Sequence, residues 1–155
     1  MHLALFSNNP LCAVMCEQTL YGHYGEISAL EVLQTARDAI HQGWKLLNHP
    51  LYGNYRPYQQ PFRTILLERS KATSPAPLTS SQQVDMESLQ FIEEALLVFL
   101  STKGIEPKDA PRKLFEDCAE LDFALMQLTL EGAGIEIVRG ELSPHQHLTT
   151  PPIGG

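Results

Sequence analysis

The chain has 155 residues, 43% hydrophobic and 19% charged, which fits one globular domain rather than a disordered or fibrous chain. Eleven Lys and Arg against eighteen Asp and Glu give a net charge of −7, so there is no basic excess for binding nucleic acid. No apolar run approaches the roughly 20 residues of a membrane-spanning helix, and the first residues lack the basic segment of a secretory signal. We therefore expect a soluble, cytoplasmic protein with neither nucleic acid nor membrane as a partner.

The first half of the chain predicts alternating strands and helices. Its opening apolar run ends in turn residues, which is typical of a strand buried on both faces. Ser28 and Glu31 have the spacing of a capping box, and Gly43 is a helix stop. The elements predicted in this half are a strand at 3–6, a short helix or irregular crossover at 11–17, a weaker strand at 20–24, a helix at 28–43, and strands at 45–47 and 64–67.

The second half predicts two longer helices and a tail. The Ser-, Thr-, Pro- and Gln-rich segment 70–83 predicts a mobile loop. Asp85 is the expected N-cap of the next helix, and Asp109 opens the last one, with Pro111 in its first turn. The inward face predicted for the last helix is formed by Leu114, Phe115, Cys118, Leu121, Leu125 and Leu128.

The order of these elements predicts an α/β fold. We expect a small, open, mostly parallel sheet of four to five strands flanked by three main helices, in two or three layers, as in Rossmann-like or flavodoxin-like proteins. Residues 1–131 would form the single domain. Residues 132–155 would add an edge strand at 135–138 and an extended Pro-rich tail.

Two turns are candidates for a ligand site. Residues 7–10 follow the first strand and residues 48–54 follow the third, and ligands in open α/β sheets collect at the carboxyl ends of strands. Two arginines nearby could pair with a carboxylate or phosphate, so a small anionic ligand is expected. Asn and Pro are also ordinary turn residues, which leaves a purely structural alternative open. The predicted ligand-binding residues are Asn8, Asn9, His49, Asn54, Arg56 and Arg63.

Other side chains with reactive or metal-binding chemistry carry weaker signals. Cys12 and Cys16 are four residues apart, as in half a metal site or a redox pair, but buried free cysteine is the more ordinary reading. His145 and His147 offer two imidazoles, for which adventitious metal binding is the simpler explanation. The chain lacks the glycine-rich motifs of nicotinamide and ATP sites and the nucleophile elbow of esterases. We predict no catalytic residue, no metal site and no cofactor.

The turn residues and the segments around them resemble those of the GrdX-like family, small proteins encoded among the genes for glycine, sarcosine and betaine reductases. The resemblance runs from about residue 3 to residue 130 and is most specific around His49-Pro50-Leu51. Tyr52, Tyr55 and Tyr58 depart from the family pattern, which has smaller or acidic polar residues there. The matching segments are 6–10, 36–43, 45–51, 53–54, 56–57, 61–67 and 92–94.

The resemblance implies a non-catalytic accessory role in glycine, sarcosine or betaine reductase metabolism, with subunits of the reductase complex as partners. Two alternatives stay open. One is a small-molecule hydrolase or transferase that uses His49 as a general base. The other is a homo-oligomeric scaffold whose partner surface is the loop that carries Tyr52, Tyr55 and Tyr58.

Overall fold

The computed structural model describes residues 1–70 and 83–142, and in them the chain forms one four-stranded sheet and four α-helices. None of the helices in this part of the chain is long and apolar enough to cross a membrane. The strands are β1 (His2–Ser7), β2 (His23–Tyr24), β3 (Lys45–Leu46) and β4 (Thr64–Arg69), and the helices are α1 (Ala13–Gln18), α2 (Ala29–His41), α3 (Met86–Ser101) and α4 (Arg112–Gly132). The predicted loop lies outside the described residues except at its ends, as does the tail from residue 143.

The sheet is mixed, with the strand order β2-β1-β4-β3. β1 and β2 are parallel, whereas β4 runs antiparallel to both β1 and β3. The prediction of a mostly parallel, Rossmann-like or flavodoxin-like sheet is therefore not confirmed. The reason is the connection from β3 to β4, because residues 47–63 contain only a short 3-10 turn at Tyr52–Asn54 and no helix that returns along the sheet.

Helices cover both faces of the sheet, so the fold has three layers. Ala4 and Ile65 pack with the apolar stripes of α2 and α3 on one face. Leu5 and Leu66 pack with α1 and α4 on the other face. The α/β class is confirmed. There are four α-helices rather than three main ones, because the segment expected as a short helix or crossover forms α1.

Two helix starts follow their predicted capping residues, and the third does not. Ser28 and Glu31 form the capping box of α2, and Asp85 accepts a hydrogen bond from the Ser88 N–H at the start of α3. Helix α4 begins at Arg112 after Pro111, not at Asp109, because residues Pro107–Asp109 form a separate 3-10 turn.

The inward face of α4 differs from the predicted one. Phe115 and Cys118 are buried as expected, but Leu121, Leu125 and Leu128 lie on the exposed side. The helix is rotated because its inner face carries Asp122, which finds hydrogen-bond partners at the sheet edge. The buried residues of α4 are Phe115, Cys118, Ala119, Asp122, Met126 and Leu130.

Residues 135–138, predicted as an edge strand, belong to no strand of the described sheet. Ile135 packs instead against the core cluster on the α1 and α4 face. The backbone N–H of Gly140 donates to the Leu11 carbonyl at 2.9 Å, which fixes the segment across the start of α1. A Cβ at Gly140 would lie 2.4 Å from the Pro10 carbonyl oxygen, so this close approach requires glycine.

Candidate functional site

The two predicted turns lie at the same edge of the sheet. β1 and β3 are each antiparallel to β4, so they run parallel to one another and their carboxyl ends meet the amino end of β4. They are not neighbours, because β4 lies between them. The sheet edge therefore brings together residues that follow β1, residues that follow β3 and residues that open β4.

Both predicted asparagines after β1 are buried and fully engaged with the protein. The Asn8 side-chain amide donates to the backbone carbonyls of Ile27 and Pro61, each at 2.9 Å. The amide oxygen of Asn8 accepts a hydrogen bond from the backbone N–H of Arg63. The Asn9 oxygen accepts from the Leu11 N–H at 3.0 Å. These bonds hold the loops at the sheet edge together.

Arg63 is also buried at this edge, immediately before β4. Its Nη1 donates to the carbonyls of Pro50 and Tyr52 at 2.9 and 3.2 Å, and its Nε donates to the Phe62 carbonyl. The guanidinium carbon lies 4.2 Å from the centre of the Tyr52 ring, in cation–π geometry. Arg63 thus fixes the 50–52 turn onto the sheet.

The other three predicted residues are exposed and do not join this group. The Nδ1 of His49 accepts from the Leu51 N–H at 3.0 Å, and the imidazole packs on the Phe91 ring at 4.9 Å. Asn54 has a positive φ of 53° in the following turn, and Arg56 lies beyond it. A ligand role for these side chains, and a general-base role for His49, stay predictions.

A buried polar group that we call the Asp122 cluster consists of Ser7, Asn9, Tyr52, Thr64 and Asp122. The Asp122 carboxylate has no solvent exposure and accepts from the hydroxyls of Tyr52 and Thr64 and from the Asn9 amide. Because the Thr64 hydroxyl donates to Asp122, the Ser7 hydroxyl is the donor in its 2.7 Å bond to Thr64. The cluster ties β1, β4, α4 and the Tyr52 turn together.

The environment of the Asp122 cluster keeps the Tyr52 hydroxyl and the neighbouring Cys12 thiol protonated. Burial, reinforced by the nearby Asp122 charge, raises the pKa of the Tyr52 hydroxyl well above its usual range. Burial and the same charge also raise the pKa of the Cys12 thiol. A thiol with a raised pKa is a poor nucleophile, because the thiolate is the reactive form. The cluster is therefore built to hold the fold together rather than to activate Cys12.

The sequence analysis did not identify Asp122, and it considered Tyr52 only as part of a partner surface in one of the alternatives. The available signal was an acidic residue at helical spacing between apolar ones, with Cys118 four residues before it and Met126 four residues after it. A carboxylate in such a stripe is buried and needs hydrogen-bond donors. Those donors come from distant parts of the chain, so sequence spacing could not identify them.

The outer side of α4 carries an exposed row that we call the leucine stripe, formed by Leu121, Leu125 and Leu128. These side chains are 37%, 41% and 82% exposed, at spacings of four and three residues along one helix face. The turn at Gly53, with φ of 77°, packs beside it, since a Cβ there would lie 3.0 Å from Leu125 and 2.9 Å from the Tyr55 ring. We call the loop that carries Tyr52, Tyr55 and Tyr58 the tyrosine loop. Its residues 53–55 therefore share one surface with the leucine stripe.

The cysteines are buried free thiols, as the ordinary interpretation predicted. Among the described residues, no three His, Cys, Asp or Glu side chains group as they would around a metal ion. His145 and His147 lie outside the part of the chain that the structure describes.

Fold and site together define a three-layer α/β protein whose buried sheet edge is stabilised by its own hydrogen bonds. The chain matches the family of GrdX-like proteins over residues 4–131, and it belongs to that family. This confirms the resemblance and its extent. Neither a curated protein nor a solved structure matches the chain.

Proposed function

We propose that this protein is a non-catalytic accessory protein of glycine, sarcosine or betaine reductase metabolism, and that it acts by binding a subunit of the reductase complex. Membership of the GrdX-like family supports the metabolic setting. The contact surface is the leucine stripe of α4 together with the adjoining tyrosine loop.

The exposure of the leucine stripe is the observation that carries this proposal. Leu128 is 82% exposed and Leu125 is 41% exposed, although both are large apolar side chains. Single exposed leucines are common on protein surfaces, but a row on one helix face is typical of an interface. Burying a leucine contributes about 1.5–3 kcal/mol, so the stripe can supply a substantial part of a binding free energy.

The tyrosine loop adds the residue type that interfaces favour. Tyr58 is 54% exposed, and Tyr55 is half-buried beside Gly53. Tyrosine offers a rigid ring and a hydroxyl that can pair with a partner at a polar rim. Tyr52 is not available for this role, because its hydroxyl belongs to the Asp122 cluster.

The experiment is affinity capture of the tagged chain from the native host grown on glycine or betaine, followed by mass spectrometry of the retained proteins. We expect reductase subunits with the unaltered chain and their loss with Leu128→Glu, because a carboxylate buried in an apolar contact loses its hydration.

Leu100→Glu is the matched control, since Leu100 is 65% exposed on α3, in the opposite layer. It should retain the same subunits. Equal capture by both variants would contradict the proposed surface. Recovery of the chain's own untagged copy alone, again lost with Leu128→Glu, would assign the surface to self-association instead.

A further inference from the structure

The topology creates a crevice between the first two strands. β1 and β2 are parallel neighbours, so their carboxyl ends lie side by side. β1 leads into α1 on one face of the sheet, whereas β2 leads into α2 on the other face. Connections that diverge to opposite faces open a crevice at the carboxyl ends, which is where open α/β sheets bind ligands.

A cavity of about 150 Å³ occupies this position. Asn8 lines it from the end of β1, and Tyr24 and Glu26 line it from the end of β2. Glu106 and Lys108, from the turn before α4, close the other side. The crevice is separate from the leucine stripe, so it does not depend on the function proposed above.

The charges around the cavity are of both signs. Glu106 and Lys108 form no ion pair with any described residue, and the Glu26 carboxylate adds a second negative group to the lining. Burial and the neighbouring Glu26 raise the pKa of Tyr24 to about 12, so its hydroxyl stays neutral and able to donate a hydrogen bond.

We propose that this crevice binds a small zwitterion of the α-amino-acid type, with its ammonium group toward Glu106 and its carboxylate toward Lys108. A volume of 150 Å³ is about that of a cavity that holds benzene, so the ligand has roughly five to eight non-hydrogen atoms. Nucleotides need pockets of about 300 Å³ or more and do not fit.

The test is an amide-resolved NMR titration of the full chain with glycine, acetate and methylammonium as probes. Glycine should shift the amides of Asn8, of residues 24–27 and of residues 106–108. Acetate and methylammonium, which each carry one of the two charges, should bind about tenfold more weakly, because each loses one charge-assisted contact.

Two charge-removing variants locate the site. Glu106→Gln and Lys108→Gln should each weaken glycine binding about tenfold. Lys113→Gln is the control, because that exposed lysine pairs with Asp117 on α4 and does not line the cavity. The absence of localised shifts with glycine, equal binding of acetate, or unchanged binding by both variants would overturn the proposal. None of these results bears on capture of reductase subunits by the leucine stripe.

Discussion

Helix α4 buries one carboxylate among the apolar residues of its inner face and exposes a row of leucines on its outer face. On the inner side, Asp122 is fully buried and accepts hydrogen bonds from three side chains. On the outer side, Leu121, Leu125 and Leu128 remain more than one-third exposed. The comparison separates polar groups that maintain the fold from apolar groups that are available for binding.

The two sides of α4 also differ in the contacts made by the buried carboxylate and by the exposed leucines. The buried Asp122 carboxylate is stabilised by three hydrogen-bond donors, the hydroxyls of Tyr52 and Thr64 and the Asn9 amide. The exposed leucines are in contact with solvent over more than a third of their surface, and the function proposed above would bury them against a partner. Variants on the inner side should therefore change stability, and variants on the outer side should change binding.

The largest expected effect is that of Asp122→Ala. Removing the carboxylate leaves the Tyr52 and Thr64 hydroxyls and the Asn9 amide without their common acceptor. Each buried donor left unpaired costs about 1–3 kcal/mol, so the free energy of unfolding should fall by about 3–5 kcal/mol in total. Urea unfolding followed by circular dichroism measures it. Asp117→Ala, at an exposed pair with Lys113, should change it by less than about 0.5 kcal/mol. Equal effects would show that the cluster does not stabilise the fold.

Asn9→Ala and His49→Ala compare two of the residues predicted as ligand-binding. Asn9 is buried and contacts Asp122, so its loss should lower the free energy of unfolding by about 2–3 kcal/mol. His49 is exposed, and its replacement should cost less than about 1 kcal/mol. Thermal and urea unfolding of both variants would measure the difference. A larger loss for His49→Ala would contradict the assignment of Asn9 to the fold.

Tyr52→Phe removes one hydroxyl and keeps the ring under Arg63. It leaves the Thr64 N–H and one Asp122 oxygen without a partner, so unfolding should become easier by about 1–2 kcal/mol. Tyr58→Phe, at an exposed position of the same loop, should leave the stability unchanged. If both variants matched the unaltered chain in urea unfolding, the Tyr52 hydroxyl would not contribute to the cluster.

The last effect, a loss of stability in alkali, is absent near neutral pH. Burial raises the pKa of Cys16 from 9.0 to about 12, so the folded chain keeps a proton that the unfolded chain releases. The stabilisation is complete below pH 9 and is lost as the pH rises toward 12, at up to about 1.4 kcal/mol per pH unit. Urea unfolding between pH 8 and pH 11 should show a steeper decline for the unaltered chain than for Cys16→Ala. Parallel declines would contradict the assignment to this thiol.

Local signals predicted much of the fold. The Ser28–Glu31 capping box and the Asp85 cap fixed two helix starts, because both ends of each interaction lie within three residues. The direction of β4 could not be read in this way, since it depends on whether residues 47–63 return along the sheet. The edge strand predicted at 135–138 is not formed. Whether this segment pairs with a strand depends on contacts with distant residues, which local sequence patterns do not show.

The meeting of the two turns could be predicted from the sequence, but their detailed contacts could not, and the ligand role stays a prediction. The turns after β1 and β3 do share a sheet edge, and Asn8, Asn9 and Arg63 do meet there. The sequence could not show that Asp122 would accept from Asn9, because 113 residues separate them. Nor could the sequence show which face of α4 points outward. Asp122 and the leucines both lie at helical spacing, so either row could have formed the buried face.

Leu128→Glu tests the central claim most directly when stability and binding are measured on the same purified variant. The free energy of unfolding should stay within about 0.5 kcal/mol of the unaltered chain, because the side chain is exposed, while capture of reductase subunits should be lost. Retained capture at unchanged stability would show that the outer face of α4 is not the binding surface.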